Sequence, residues 1–198
     1  MSAKSEQANE IIRNHTVWAM GAGAVPLPII DVAAVTMIQL DMLKQLCRVY
    51  GQDYNESSGK NLITAIAGST LARLGASFVK AIPVVGSLLG GVSMAVLSGA
   101  STYGVGQVFI NHFEGGGSIF NIDLNWSRQQ YEKEYKKGEE FASNIQKQEK
   151  SKPDSKGEIF NKLDELVKLK KDGILTEDEF NRKKEELLKR LYEEGKQS

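Results

Sequence analysis

Four short patterns in the 198-residue sequence carry residue types that could do chemistry. Ser58-Gly59-Lys60-Asn61 has the Gly-Lys pair of a phosphate-binding loop. Such a loop needs glycine at position 54 and Ser or Thr at position 61, so that backbone N–H groups cradle phosphate and a hydroxyl meets magnesium. Here those positions hold Tyr54 and Asn61, which excludes a nucleotide-binding loop at this place. Asp172-Gly173 followed by Glu179 resembles the end of a calcium loop. With Gly173 as the sixth loop position, the first and third are Lys168 and Lys170, and two cations where carboxylates must chelate exclude calcium. Gly115-Gly116-Gly117 follows a helical pattern rather than a strand, so it is no dinucleotide fingerprint. The fourth is Asp31, an acid between the apolar runs Val17 to Ile30 and Val32 to Leu40. In a bilayer it would be a functional group, paired with Arg73 or Lys80. The plainer reading is a first-turn carboxylate after Pro28, stabilised by the helix dipole, and the position near a helix start favours it.

The remaining reactive side chains are isolated. His15 and His112 are single histidines and read as structural ones. Cys47, the one cysteine, excludes an intramolecular disulfide and a cysteine-rich zinc site and reads as a small packing residue. No nucleophile–base pair stands out. The expectation is a non-enzymatic protein with no catalytic, cofactor-binding or metal residues and no cofactor.

The elements that position these residues divide the chain in two. Residues 1–120 hold 7 cations and 7 anions, whereas the remaining 78 residues hold 18 of each. Net charge is zero, which argues against a nucleic-acid partner held by phosphate neutralisation. The start, MSAKSEQANE, has acids and no apolar core of a secretory leader. Apolar spacing predicts helices over Ser5–Met20, Ile29–Tyr50 and Lys60–Ile82. Ala81 to Phe113 follows, 33 residues without Asp, Glu, Lys or Arg and with 6 glycines. As one helix it would be roughly 50 Å long, against a hydrocarbon thickness of about 30 Å. Its small-residue pairs Gly86/Gly90, Ala95/Gly99 and Ala100/Gly104 are candidate helix-packing positions. Two environments suit it: a membrane, or the centre of a helical bundle. A charged helix over Asp123–Gln148 carries a stripe of Tyr131, Tyr135, Ala142 and Ile145. Residues 149–157 read as a polar linker. The helix Glu158–Lys171, an Asp172-Gly173 stop and a Thr176/Glu179 capping box then form a helical hairpin.

Pro26-Leu-Pro-Ile-Ile-Asp31, Thr36, Gln39, Met42-Leu43, Tyr50-Gly51, Ile82-Pro-Val-Val-Gly86, Thr102-Tyr-Gly-Val-Gly106 and His112-Phe113-Glu-Gly115 together resemble a helical domain of unknown function, DUF-697, over about residues 8–116. The resemblance implies membrane association and a link to small GTPases. This chain shows no GTPase domain, so it would meet a GTPase in trans. Leu163, Leu166, Leu169, Asp172 to Thr176, Glu179-Phe180, Lys184 and Leu187-Leu188 resemble the SHOCT module over residues 157–192, which implies interaction or oligomerisation.

The expected architecture is all-α: an apolar helical domain (1–118), a charged helix and linker (119–156) and a helical hairpin (157–198). The expected function is a membrane-associated scaffold or regulator, inserted as a hairpin or re-entrant segment in the cytoplasmic membrane with both chain ends in the cytoplasm. Self-association is expected through Leu163, Leu166, Phe180 and Leu187. The rival is a water-soluble, cytoplasmic helical module that binds a protein partner such as a GTPase, with Ala81–Phe113 as its core helix. A third reading is a pore built on Asp31 and glycine-packed helices.

Overall fold

The structure is a computed structural model that describes the backbone over residues 2–23, 30–81, 94–151 and 155–196, and side chains over 2–23, 33–68, 94–148 and 158–193. It is all-α. The helices are α1 (Ala3–Gly23), α2 (Ile30–Tyr50), α3 (Glu56–Ala81), α4 (Met94–Glu114), α5 (Leu124–Ser151), α6 (Ser155–Lys171) and α7 (Glu177–Lys196). No strand occurs among the described residues.

Helix ends follow local chemistry. Asn55 caps α3 by accepting the Ser58 N–H at 2.9 Å, so this helix starts earlier than the predicted Lys60. Asp123 accepts N–H groups of Asn125 and Trp126 at 2.7 and 2.9 Å to start α5, which runs to Ser151, past the predicted end at Gln148. The predicted capping box forms before α7. The Glu179 N–H donates to Thr176 Oγ1 at 3.3 Å, while the Thr176 N–H donates to the Glu179 carboxylate at 3.0 Å. Hydrogen bonds from the Thr176 backbone and hydroxyl hold the Glu179 carboxyl below its ordinary pKa. Gly173 sits at φ 71° and closes α6, with the Ile174 N–H bonded to Leu169 O at 3.0 Å.

The helix α4 is the centre. Fifteen of its 21 residues are buried, and it packs against α1, α2, α3 and α5. A helix covered on so many sides is a core element. Pairings such as Ile12 at Gly106 and Met20 at Gly99 set α1 antiparallel to α4, and Tyr131 at Gly104 sets α5 antiparallel to it. Polar side chains fix the register. Gln39 of α2 donates to Ser101 Oγ at 3.2 Å and Thr102 Oγ1 at 3.3 Å, and the Tyr131 hydroxyl of α5 donates to Ser101 at 3.0 Å.

This arrangement corrects the expectation of an apolar membrane-crossing helix within Ala81–Phe113. The described helix begins at Met94, and residues 82–93 lie outside the described ones. Among the described residues no helix is long and apolar enough to cross a membrane. Within α4, Ser101 and Thr102 face inward, with Thr102 Oγ1 donating to Ser98 O at 3.0 Å and Ser101 accepting from Gln39 and Tyr131, and the glycines admit other helices.

Two apolar clusters result. The first joins α1 to α5 around Ile12, Met42, Leu46, Ile66, Phe109 and Tyr131. The second joins Met20, Ala95 and Val96 to Ala142 and Ile145 of α5, and to Phe160, Leu163, Phe180 and Leu191 of the hairpin.

Two outcomes are expected. At Gly138 a Cβ would lie 2.8 Å from the Ala100 carbonyl oxygen, and backbone cannot move aside as a side chain can. Gly138→Val should therefore lower stability in urea by about 1–3 kcal/mol, whereas Gly68→Ala, with nothing nearer than Thr64 Cγ2 at 3.7 Å, should raise it by up to about 1 kcal/mol. Cys47 is fully buried, and burial pushes its thiol up to about 11. A thiol reagent at mildly alkaline pH should label it only after unfolding; rapid labelling of the folded chain would contradict this packing.

Candidate functional site

The residues singled out from the sequence end in separate places. Asp31 lies in the first turn of α2, as the dipole reading requires, but its side chain and those of Arg73 and Lys80 lie outside the described ones. Gly86 and Gly90 also lie outside the described residues. Ala95 and Ala100 are buried on α4. A Cβ at Gly99 would meet Met20 Cγ at 2.5 Å and Ala142 Cβ at 3.1 Å, and one at Gly104 would meet the Tyr131 ring at 3.1 Å. These positions therefore sit where α1 and α5 cross α4. The stretch Ser58–Asn61 forms part of the first turns of α3, with Gly59 against Leu43, Leu40 and Tyr54. Lys170 bonds Glu177 at 2.8 Å and covers the Phe180 ring at 4.4 Å, so a cation closes the turn that the calcium pattern resembled. No group of three potential metal ligands occurs among the described residues.

Both histidines hold structure together. His15 is 1% exposed; Nδ1 lies 2.8 Å from Ile11 O, and Nε2 lies 3.0 Å from Asp41 Oδ2. Gln45 donates to the same carboxylate oxygen at 2.8 Å, so the trio ties α1 to α2. His112 Nε2 lies 2.9 Å from Ser118 O and holds the loop after α4. Burial pushes the Tyr131 phenol well above its ordinary pKa, which keeps it a neutral donor to Ser101.

Leu163, Leu166, Phe180 and Leu187 are all buried in the second cluster of this same chain. They face α1, α4 and α5 residues through a hairpin docked on α1 and α5. Self-association through these four side chains would require the hairpin to leave that position.

The docked hairpin also builds a feature that no sequence spacing announced. Tyr192 of α7 stacks obliquely on Trp18 of α1, with ring centroids 4.9 Å apart, and Trp18 meets His15 edge-on at 4.4 Å. Gly21 admits Leu191 and Leu188, the two leucines that seat α7 on α1. Between α1, α2 and α7 there remains a half-open groove of about 340 Å³. Trp18 and Ala22 form one side, Ala34, Met37 and Ile38 a second, and Leu188, Leu191 and Tyr192 the third, with Lys189 as the charged lining residue. Past Trp18 and Tyr192, which it shares, a second depression is of mixed character, lined by Gln7, Glu10, Asn14, His15 and Gln45 together with Ile11. Met37 is 70% exposed and Tyr192 41% exposed at the groove. Sequence reading missed it because its walls come from residues some 170 positions apart and only docking of α7 makes it concave.

Comparison with known proteins adds two relations. Residues 1–134 match the family described as "Domain of unknown function (DUF697)". The match covers α1 to α4 and the first part of α5, wider than the stretch from 8 to 116 read from the sequence, while α6 and α7 lie beyond it. "Magnetosome membrane protein 22" of Magnetospirillum gryphiswaldense is 37% identical over 143 residues, which covers 70% of this chain and 73% of that one. No solved structure matches. With this family matched over α1 to α4 and the first part of α5, more than half of the chain, the chain belongs to the DUF697 family.

Proposed function

We propose that this chain is a non-enzymatic, membrane-associated scaffold or regulator. On this reading one end of its helical bundle meets the lipid, and its charged C-terminal part stays in water on the cytoplasmic side. The observation that carries the reading is the relation to a protein named for a membrane, across more than two thirds of both chains. Two further features support it. First, the ends of α1 at Gly23 and of α4 at Met94 are neighbours, since a Cβ on Gly23 would lie 3.0 Å from Met94 O. The start of α2 at Ile30 belongs to the same end, because α2 runs antiparallel to α1. The sequences that join these ends, 24–29 and 82–93, contain no charged residue. Second, the polar clusters are used to hold helices together: His15 with Asp41 and Gln45, and Gln39 with Ser101 and Tyr131.

The hairpin has the SHOCT-like role in this reading. It is an interaction module docked on the bundle, and a change in its docking would be the way a partner, a GTPase or a second copy of the chain, communicates with the membrane end.

The test is fractionation of the expressed full chain, together with sedimentation on vesicles of phosphatidylcholine and phosphatidylglycerol. The expected result is a protein that stays with the membrane pellet through a high-salt wash and co-sediments with vesicles. A protein that remains in the supernatant in both assays would overturn membrane association and favour the protein-partner module.

A further inference from the structure

We propose that His15 is held as the imidazolium between α1 and α2, and that loss of its proton unlatches the C-terminal hairpin from α1. This goes beyond the membrane-associated reading above and does not rest on it.

The charge follows from what the ring faces. Nδ1 lies 2.8 Å from the Ile11 carbonyl oxygen, and Nε2 lies 3.0 Å from Asp41 Oδ2. A carbonyl and an ionised carboxylate only accept, and a neutral imidazole has one N–H to donate. Either neutral tautomer would set a nitrogen lone pair against an oxygen at one of these two distances. The imidazolium donates to both. Gln45 completes the cluster: its side-chain amide donates to the same Asp41 oxygen at 2.8 Å and stands 3.4 Å from Nε2. That amide is the donor to which Nε2 can turn once the ring is neutral, so the cluster has a second arrangement in which Asp41 is released. Other titratable groups near the ring are Glu10 of α1 and Tyr192 of α7, which border the same depression. The helix α4 has no Asp, Glu, Lys or Arg before Glu114, and α5 meets α1 around Met20 and Ala142, more than one turn from His15. His15 is 1% exposed, but it borders an open depression and Asp41 is 46% exposed, so a proton can pass between water and the ring.

Trp18 carries the change to the hairpin. Its ring centroid lies 4.4 Å from that of His15, and the Tyr192 ring of α7 lies 4.9 Å from Trp18 on the same measure. Three rings in contact therefore join the partner of Asp41 to α7. Side chains packed at this spacing cannot turn without a neighbour giving way. The other contact that seats α7 on α1, Leu188 and Leu191 at Gly21, lies within one turn of Trp18, so movement of that ring disturbs the whole seat. Histidine is the side chain whose charge ordinarily changes between about pH 5 and 8. The docked fold holds the proton between two acceptors, whereas the undocked one has no need of it. Docking is therefore favoured at the acid end of this range and weakens as pH rises through it.

Two measurements on the full chain test this. Long-range proton–nitrogen NMR reads the ring nitrogens, and with two histidines in the sequence, His112→Gln identifies the signals of His15. Electron spin resonance reads the distance between nitroxides at Lys136→Cys on α5 and Glu186→Cys on α7, both exposed positions. Cys47 is fully buried and stays unlabelled. At the acid end of the range the expected result is two protonated ring nitrogens and a single distance. As pH rises, one ring proton should be lost and the share of a second, longer distance should grow several-fold with the same midpoint. Asp41→Asn, at a half-exposed position that folding tolerates, should move both midpoints to lower pH, and His15→Gln should make the distances independent of pH. One protonated ring nitrogen throughout the range would overturn the charge assignment. A distance that stays fixed across the range would overturn the latch, whether or not the ring titrates. A distance change that persists in the His15→Gln chain would assign the change to other groups and overturn the latch as well. Midpoints unmoved by Asp41→Asn would overturn the pairing on which both rest.

Discussion

Enclosure of α4 is the constraint on which the rest of the structure depends. A helix without Asp, Glu, Lys or Arg before its last residue, Glu114, must be kept from water, and here four other helices keep it so. Close enclosure is possible only where side chains are small. At Gly106 a Cβ would lie 2.6 Å from Ile12 Cγ1, at Gly99 2.5 Å from Met20 Cγ, and at Gly138 on the facing helix 2.8 Å from the Ala100 carbonyl. Glycine inside a helix costs about 1 kcal/mol relative to alanine. The contacts it permits must outweigh that cost, and dispersion and burial across two long interfaces are of the right size to do so. Close approach alone would allow helices to slide. The bonds from Gln39 and Tyr131 to Ser101 prevent that, because a shift by one turn would leave buried polar groups without partners.

The same facts explain how much of the fold could be read from sequence. The number of helices, their amphipathic stripes and the capping box at Thr176 depend on neighbours within one or two turns, so they were legible. Tyr131, Tyr135, Ala142 and Ile145 are all buried, as the 3.6-residue spacing of that stripe demanded. The small residues of α4 were also legible as packing positions. Their environment was not, because lipid and a protein interior both favour uncharged, glycine-containing helices. The partners of Ser101, Thr102 and Gln107 were equally hidden, because they lie on other helices. Gln107 finds Asn9 at 2.8 Å, 98 residues away. The start of α3 was misplaced for a simpler reason: Asn55 as a cap outweighed the glycine at position 59 that made the segment read as loop.

The hairpin was legible as a unit and opaque in its placement. Its apolar positions announced only that something must cover them, since so short a hairpin cannot bury them alone. The structure covers them with Met20, Ala95, Val96, Ala142 and Ile145 of the same chain. Gly21 helps set where α7 lies, because a Cβ there would meet Leu191 Cδ2 at 2.4 Å and Leu188 Cδ2 at 3.4 Å. Trp18, three residues earlier, then receives Tyr192.

The groove therefore has two parents. Trp18, Ala22, Ala34, Met37 and Ile38 belong to the region that matches the DUF697 family, while Leu188, Lys189, Leu191 and Tyr192 lie beyond residue 134. Undocking of α7 would leave α1 and α2 as an open apolar surface, and docking turns that surface into a slot with one cation at its edge. Moving the hairpin away from α1 would remove one wall of the groove.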